Sequence, residues 1–288
     1  MFGLRSDGKR IKTIDPLMKI VPHIMPERND SMVMSKYEIH CQPLDEYIFK
    51  KRKENNLRFT YMHILIAAMV RTLAMRPKIN RFIMNGRVFK RNDITISFIV
   101  KKRLVDTSEE ETIKMKFKGT EDIFQIKEMI DEQISKNTGE THGNDADALA
   151  KLLTMVPNFL IKLMVGFLKF LDKHGMLPKS IVELSPFHTS IFLTNLRSIK
   201  MNYAYHHIYN FGTTSIFVSM GKEKYDPIVI DPDQNQLGAI KVMDAGIVID
   251  ERICDGLYYG NTVREFMKLM VYPELMETPL EAKVEDQK

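Results

Sequence analysis

Asp250-Glu251-Arg252-Ile253-Cys254-Asp255-Gly256 (DERICDG) stands between a strand-like run, Lys241–Asp250, and a helical one, Asn261–Tyr272. Working outward from it, Ile228–Ile230, Ser215–Met220 (SIFVSM) and Thr189–Asn195 (TSIFLTN) have strand composition. Ser35–Leu44 and Asp93–Val105 read as strands too, and Lys114–Phe117 as a short one. Helices are expected over Asp45–Asn55, Thr60–Met75 and Thr120–Asn137. Thr60 can cap the second of these and Pro77 stops it. Asn85-Gly86 is a hairpin signal. Strands mixed with helices in this way suggest an α/β or α+β sandwich in one compact domain.

The chain has 288 residues, 44% of them hydrophobic and 27% charged. That composition fits one large folded domain and excludes a disordered chain. A net charge of +5, with bases interleaved among acids, is too weak for a nucleic-acid footprint. Two cysteines, Cys41 and Cys254, make no disulfide framework, and the N-terminus shows no signal-peptide pattern, so a cytoplasmic location is expected. Met1–Ser31, with Pro16, Pro22 and Pro26, reads as an irregular arm. The expected boundaries are an arm over 1–30, a catalytic-type domain over 31–275 and a tail over 276–288.

Leu152–Leu171 is apolar but carries Lys162, Lys169 and Pro157, so no membrane span is expected. A buried core or interface helix is the first reading, and a surface helix that touches lipid the second. His142–Asp147 (HGNDAD) offers metal-type ligands without a second cluster, so it reads as a solvent loop and no metal is expected.

The heptapeptide resembles the Asp-His-Arg-x-x-Asp-Gly signature of the chloramphenicol acetyltransferases and of the acyltransferase catalytic domains of 2-oxo-acid dehydrogenase complexes. Six of the seven positions comply, and Glu251 stands where the family has its histidine. Three further elements follow the family's order: Asn210–Lys222 (NFGTTSIFVSMGK), Phe192–Leu196 (FLTNL) and Met75–Asn80 (MRPKIN). Together they span roughly residues 30–275.

The resemblance implies a chloramphenicol acetyltransferase-like fold, an α/β (α+β) two-layer sandwich with a mixed sheet and helices on one face, and a homotrimer with sites between subunits. It also implies acyl transfer from a CoA thioester to a small acceptor, without a metal. The matches lie in the catalytic part alone, so no covalently bound lipoyl group is expected. By position, Glu251 takes the place of the base, Asp255 that of the structural carboxylate that commonly pairs with an arginine, and Gly256 that of the tight turn. Thr194 takes the place of the oxyanion hydroxyl, with Asn195 beside it.

A solvated Glu is a weaker base than His by about 2 pKa units, or about 3 kcal/mol of driving force. Burial in an apolar tunnel can recover that deficit. A base relocated to His206 or His207 is the alternative, with His188 behind them. His63, on the apolar first helix, reads as a core imidazole, and Cys254 as packing. The residues leave two readings open: a divergent acyltransferase, or a homologue that only binds or scaffolds.

Overall fold

The strand that runs into the heptapeptide is the second of six in a mixed sheet, as seen in a computed structural model that describes residues 5–101, 110–137 and 156–287. In chain order the elements are β1 (Gly8–Arg10), α1 (Pro16–Ile24), β2 (Met32–His40), α2 (Cys41–Asn55) and α3 (Tyr61–Met75). There follow β3 (Arg81–Met84), β4 (Arg87–Arg91), β5 (Ile94–Lys101), β6 (Glu110–Phe117) and α4 (Ile123–Asn137). The second half holds α5 (Asn158–Lys173), α6 (Lys179–Leu184), β7 (Ile191–Asn195), β8 (Ile216–Asp231), β9 (Gln236–Asp250) and α7 (Gly256–Val271). The large sheet has the order β2-β9-β8-β7-β5-β6. β7 is parallel to both of its neighbours, and every other pairing is antiparallel.

Side chains alternate across a strand. Ile96 and Phe98 of β5, Leu193 of β7, Val218 of β8 and Ile247 and Ile249 of β9 therefore all face one side. There they join Leu65, Ile66 and Met69 of α3, Leu44 of α2, Ile126 and Ile130 of α4 and Phe266 of α7 in a single apolar core. Each such side chain contributes roughly 1.5–3 kcal/mol by leaving water. Helix α3 is buried along nearly its whole length. Its start is fixed by a reciprocal cap: Thr60 Oγ1 accepts from the His63 N–H, and His63 Nδ1 accepts from the Thr60 N–H at 3.1 Å. His63 is thus a capping imidazole on the core helix.

Several boundaries differ from the sequence expectation. The arm is not irregular: it forms β1 and α1, with Asp15 accepting from the Leu17 N–H at 2.8 Å and Pro16 opening the helix. β3 and β4 form the hairpin that Asn85-Gly86 signals, and β1, which the sequence did not announce, pairs with β4 to make a separate three-stranded sheet. Ser35–Leu44 is not all strand, because α2 begins at Cys41. Ile228–Ile230 is the distal part of β8, which runs past two irregular steps in its pairing with β9.

Helix α5 is not a buried core helix in the single chain. Phe159 is 70% exposed and Leu163 67%, and only Asp172 is buried. No described helix is long and apolar enough to cross a membrane. The polar break His142–Asp147 lies outside the described residues.

The face turned away from α2, α3, α4 and α7 is covered by short pieces. One is the extended segment 201–210, which crosses β8 and β9. A Cβ on Gly246 would sit 2.7 Å from Ala204 O, and one on Gly221 2.5 Å from the Tyr203 N, so glycine at both positions permits the crossing. The tail is tied down as well: Val284 N donates to Ala74 O at 2.9 Å, and Arg81 grips the Asp286 carboxylate at 2.7 and 2.5 Å.

Candidate functional site

The heptapeptide turns the chain from β9 into α7 through one 3-10 turn, Glu251–Ile253. Its alternate residues have opposite environments. Asp250 and Arg252 are buried, at 0% and 1% exposure, and Glu251 between them is exposed.

Arg252 grips Asp250 with two bonds: Nε to Oδ1 at 2.8 Å and Nη2 to Oδ2 at 2.7 Å. Its Nη1 donates to Met25 O at 2.7 Å and Pro26 O at 3.2 Å. Ser31 Oγ donates to Asp250 Oδ1 at 3.0 Å, and Arg28 Nε lies 3.7 Å from Oδ2. A planar guanidinium suits such bidentate geometry. The cluster pins the strap between α1 and β2 to the turn. It is also where the structure puts a carboxylate–arginine pair.

Asp255 is exposed and caps α7, accepting from the Tyr258 N–H at 2.8 Å. That N–H holds its carboxyl below the usual range. Gly256 is the first helical residue. A Cβ there would meet nothing within 4 Å, and its φ is not left-handed, so neither sterics nor backbone within the chain requires glycine. Cys254 is buried, and burial pushes its thiol up to about 12, which rules it out as a thiolate nucleophile near neutral pH.

Glu251 makes no hydrogen bond or ion pair with any described residue. Arg252, its neighbour in sequence, is fully committed to Asp250 and two carbonyls.

Thr194 and Asn195 end β7. Thr194 is half-buried on the outer face and pairs in register with Ser219, whose hydroxyl donates to Ala204 O at 2.6 Å. Asn195 carries a buried Oδ1 with no hydrogen-bond partner. His206 lies flat on Phe217, with ring centroids 4.0 Å apart. Its Nδ1 donates to His207 O at 2.9 Å, since a carbonyl can only accept, so in the neutral ring Nε2 carries the lone pair. His207 is exposed and packs against Tyr209.

These residues do not converge within one chain. Ile249, Ile216 and Ile191 are in register across β9, β8 and β7. Glu251 lies two residues beyond that line in one direction, and Thr194 three in the other. Their separation is about 16 Å along the strands and about 10 Å across them.

Sequence reasoning missed a second buried polar cluster. Asp172, in the apolar helix α5, accepts from Arg5 Nη2 at 2.7 Å and lies 3.3 Å from His188 Nε2. Arg5 Nε also holds Asp7 at 2.9 Å. Burial keeps His188 below its usual range, so it is neutral at pH 7. Burial raises Asp172, but His188 3.3 Å away, once protonated, and the permanent guanidinium of Arg5 outweigh it and bring the carboxyl to about 2. At neutral pH the Arg5 cation is the charge that acts. The lone acid in an apolar helix was the available signal.

Among the described residues no group of three or more His, Cys, Asp or Glu is placed to hold a metal. Neither a protein-family model nor a curated protein matches the sequence. Solved structures do match. A probable dihydrolipoamide acetyltransferase from Listeria monocytogenes has a TM-score of 0.55 at 15% identity, covering 94% of this chain and 97% of its own. A chloramphenicol acetyltransferase has a TM-score of 0.55 at 11% identity, covering 91% and 99%. The truncated catalytic core of the 2-oxoacid dehydrogenase complex from Thermoplasma acidophilum has 0.54 at 13%, covering 92% and 99%. The mixed six-stranded sheet, with α2, α3, α4 and α7 on one face and DERICDG at the end of β9, is the fold of the chloramphenicol acetyltransferases and dihydrolipoamide acetyltransferase cores.

Proposed function

We propose that the protein is an acyltransferase that takes its acyl group from a CoA thioester, with sites formed between copies of the chain in a homotrimer. The observation that carries the reading is the separation of the two half-sites. Glu251 is exposed and unpartnered at one end of the strands, and Thr194 with the orphaned Asn195 Oδ1 lies at the other. Neither half can hold a reacting centre alone, whereas a neighbouring copy can bring one half to the other. The open space in front of Gly256 suits the close approach of such a neighbour or of a ligand.

In this reading the Thr194 hydroxyl donates to the oxyanion of the tetrahedral intermediate. Asn195 Oδ1 accepts from an amide N–H of the thioester arm. A carboxylate at 251 takes the acceptor's proton once the neighbouring copy has excluded water from it, because desolvation raises its affinity for a proton, and returns that proton to the CoA thiolate as the C–S bond of the tetrahedral intermediate breaks. His206 Nε2 is the alternative base, since its tautomer is already set.

A specific observation favours a second reading, a binding or scaffold protein without turnover. An orienting hydrogen bond is part of a working base, and Glu251 has none among the described residues.

Free-thiol release from acetyl-CoA with a panel of thiols, alcohols and amines separates the two. Transfer that falls by about 10²-fold or more in Glu251→Ala and Thr194→Ala supports the enzyme, in line with the usual weight of a base or an oxyanion donor. CoA binding by calorimetry without turnover supports the scaffold. A Glu251→His variant that gains transfer would mean that the rest of the site is intact. Sedimentation of the purified chain as a monomer would remove both.

A further inference from the structure

On the outer side of β6, far from the heptapeptide, the charges do not balance. A cleft of about 370 Å3 opens between the end of β4, β6 and α6, with Asp7 and His188 at its back. Three of its carboxylates are already engaged. Asp7 is held by Arg5 at 2.9 Å, Asp93 by Lys116 at 2.8 Å, and Glu183 lies 3.5 Å from Lys179.

Two cations are left over. Lys114 Nζ donates to two carbonyls, Val182 O at 2.7 Å and Ser185 O at 3.0 Å. Arg91 donates through Nη1 to Thr213 Oγ1 at 3.0 Å and through Nη2 to Thr213 O. Among the described residues neither makes a hydrogen bond or ion pair with a carboxylate. Arg91 Nε is buried without a partner, and two carbonyls leave the third Lys114 proton uncommitted.

A buried cation whose direct bonds reach only neutral acceptors is costly, and Asp7, already held by Arg5, offsets this for both groups only from beyond ion-pair distance. The titration of both groups reflects this. Burial, then the Arg91 charge, pushes Lys114 down to about 8. Burial, together with Arg28 and Arg5 against the pull of Asp7, pushes Arg91 down to about 9. An anion between them would relieve both.

We propose that this cleft binds a small phosphate-type oxyanion, free or as the end group of a metabolite, held by Arg91 and Lys114. The free Lys114 proton donates to it, and Arg91, which lines the cleft, supplies the second positive charge and offers its Nε–H once the side chain turns out of its buried position. Lys116 and Lys179 at the rim, exposed and paired with their carboxylates only at the surface, attract it. The cleft shares no residue with the acyl-transfer site: Lys114 lies four strand spacings from β9, about 19 Å, and two from Thr194 on β7, about 10 Å. The proposal therefore stands whether or not the acyltransferase reading does.

Calorimetric titration with inorganic phosphate tests it. Binding that weakens by about tenfold or more in Arg91→Gln and in Lys114→Met, and not in the distant Lys53→Gln, supports the site, since a charge-assisted bond contributes about 1.5–3 kcal/mol. A second readout needs no variant. In the native protein Lys114 reacts with an amine-acylating reagent ahead of the other lysines near its pKa of about 8. Saturating phosphate raises that pKa and slows the reaction at Lys114 alone, as mapped by mass spectrometry. Tighter binding of glycerol 3-phosphate than of phosphate assigns the site to a metabolite's end group, and equal binding assigns it to the free ion. Acetate binding as tightly as phosphate, millimolar phosphate giving no heat, or no protection at Lys114 would each overturn the proposal.

Discussion

The two faces of the six-stranded sheet carry neighbouring residues of the same strands and do different things with them. On the helix side, Ile96, Leu193, Val218 and Ile247 meet the apolar stripes of α3, α4 and α7. One residue further along each strand, Ser97, Thr194, Ser219 and Val248 turn the other way, toward α6 and the segment 201–210. Of these, Ser219 bonds the backbone that crosses it, while Ser97 Oγ is buried without a partner. The charged clusters also lie beyond the apolar core: Asp250 with Arg252, Arg28 and Ser31, and Asp172 with Arg5 and His188. The helix side holds the fold mainly by area, although Lys51 pairs with Glu277 at 2.8 Å and Arg71 donates to Thr278 O at 2.7 Å there. The other side holds it by specific pairings that tolerate no missing member, and it leaves sites open.

Breaking a pairing should therefore cost more than trimming the apolar core. The largest effect is expected from Asp250→Asn, which leaves Arg252 and Arg28 buried without their carboxylate. Loss of about 3–5 kcal/mol is expected, read as a fall in the urea midpoint at constant slope. A loss under about 1 kcal/mol would mean that water reaches the cluster and that the contrast between the faces is false.

Next comes Asp172. Its folded carboxyl sits at about 2 against an ordinary value near 3.8, so it contributes about 2 kcal/mol above pH 4. The unfolded chain binds the proton first as pH falls, so this contribution disappears between about pH 4 and 2. His188, held below its ordinary 6.5, has the same sign: the unfolded chain binds its proton first, and stability begins to drop as pH falls below 6.5. Asp172→Asn should cost about 2 kcal/mol at pH 7 and converge on the parent protein near pH 2, as followed by thermal melts across that range. Parallel curves would assign the acid sensitivity to other groups.

A smaller loss is expected from Ile96→Val in the apolar core. One methylene there is worth about 1 kcal/mol, independent of pH, in the same melts. A loss as large as that of Asp250→Asn would erase the distinction.

The difference between the faces also explains what could be read in the sequence. Apolar period is a long-range regularity, so α3, α4, α7, β5 and β9 could be found from it, and with them the sandwich. DERICDG added the family resemblance. What period cannot encode is a partner far along the chain. Asp172 looks like an impurity in an apolar helix until Arg5, 167 residues away, is seen beside it. Asp250 and Arg252 could have been paired from the sequence alone, since a strand end followed by one tight turn places residues two apart on the same side. The β3–β4 hairpin was legible in its Asn85-Gly86 turn, whereas β1 went unread because a strand of three residues holds too little pattern. The exposed apolar side of α5 removes only the core half of its reading, for the converse reason: apolar composition reports that a face wants covering, not which molecule covers it.

The smallest expected effect on stability lies at the residue with the largest expected effect on function. Glu251 is exposed and makes no contact that the fold needs, so Glu251→Ala should change the unfolding free energy by less than about 0.5 kcal/mol. Its neighbours on both sides are among the most constrained side chains in the chain. Such an arrangement fixes the backbone around position 251 tightly while leaving its side chain free, which is how a reactive group is presented to a second molecule. If Glu251→Ala instead destabilises the isolated chain by 1 kcal/mol or more, position 251 is a structural residue and the case for a base there fails. If stability is unchanged but the trimer weakens, as followed by sedimentation against concentration, Glu251 belongs to the contact between copies. Only unchanged stability, unchanged assembly and lost transfer together assign it to the chemistry.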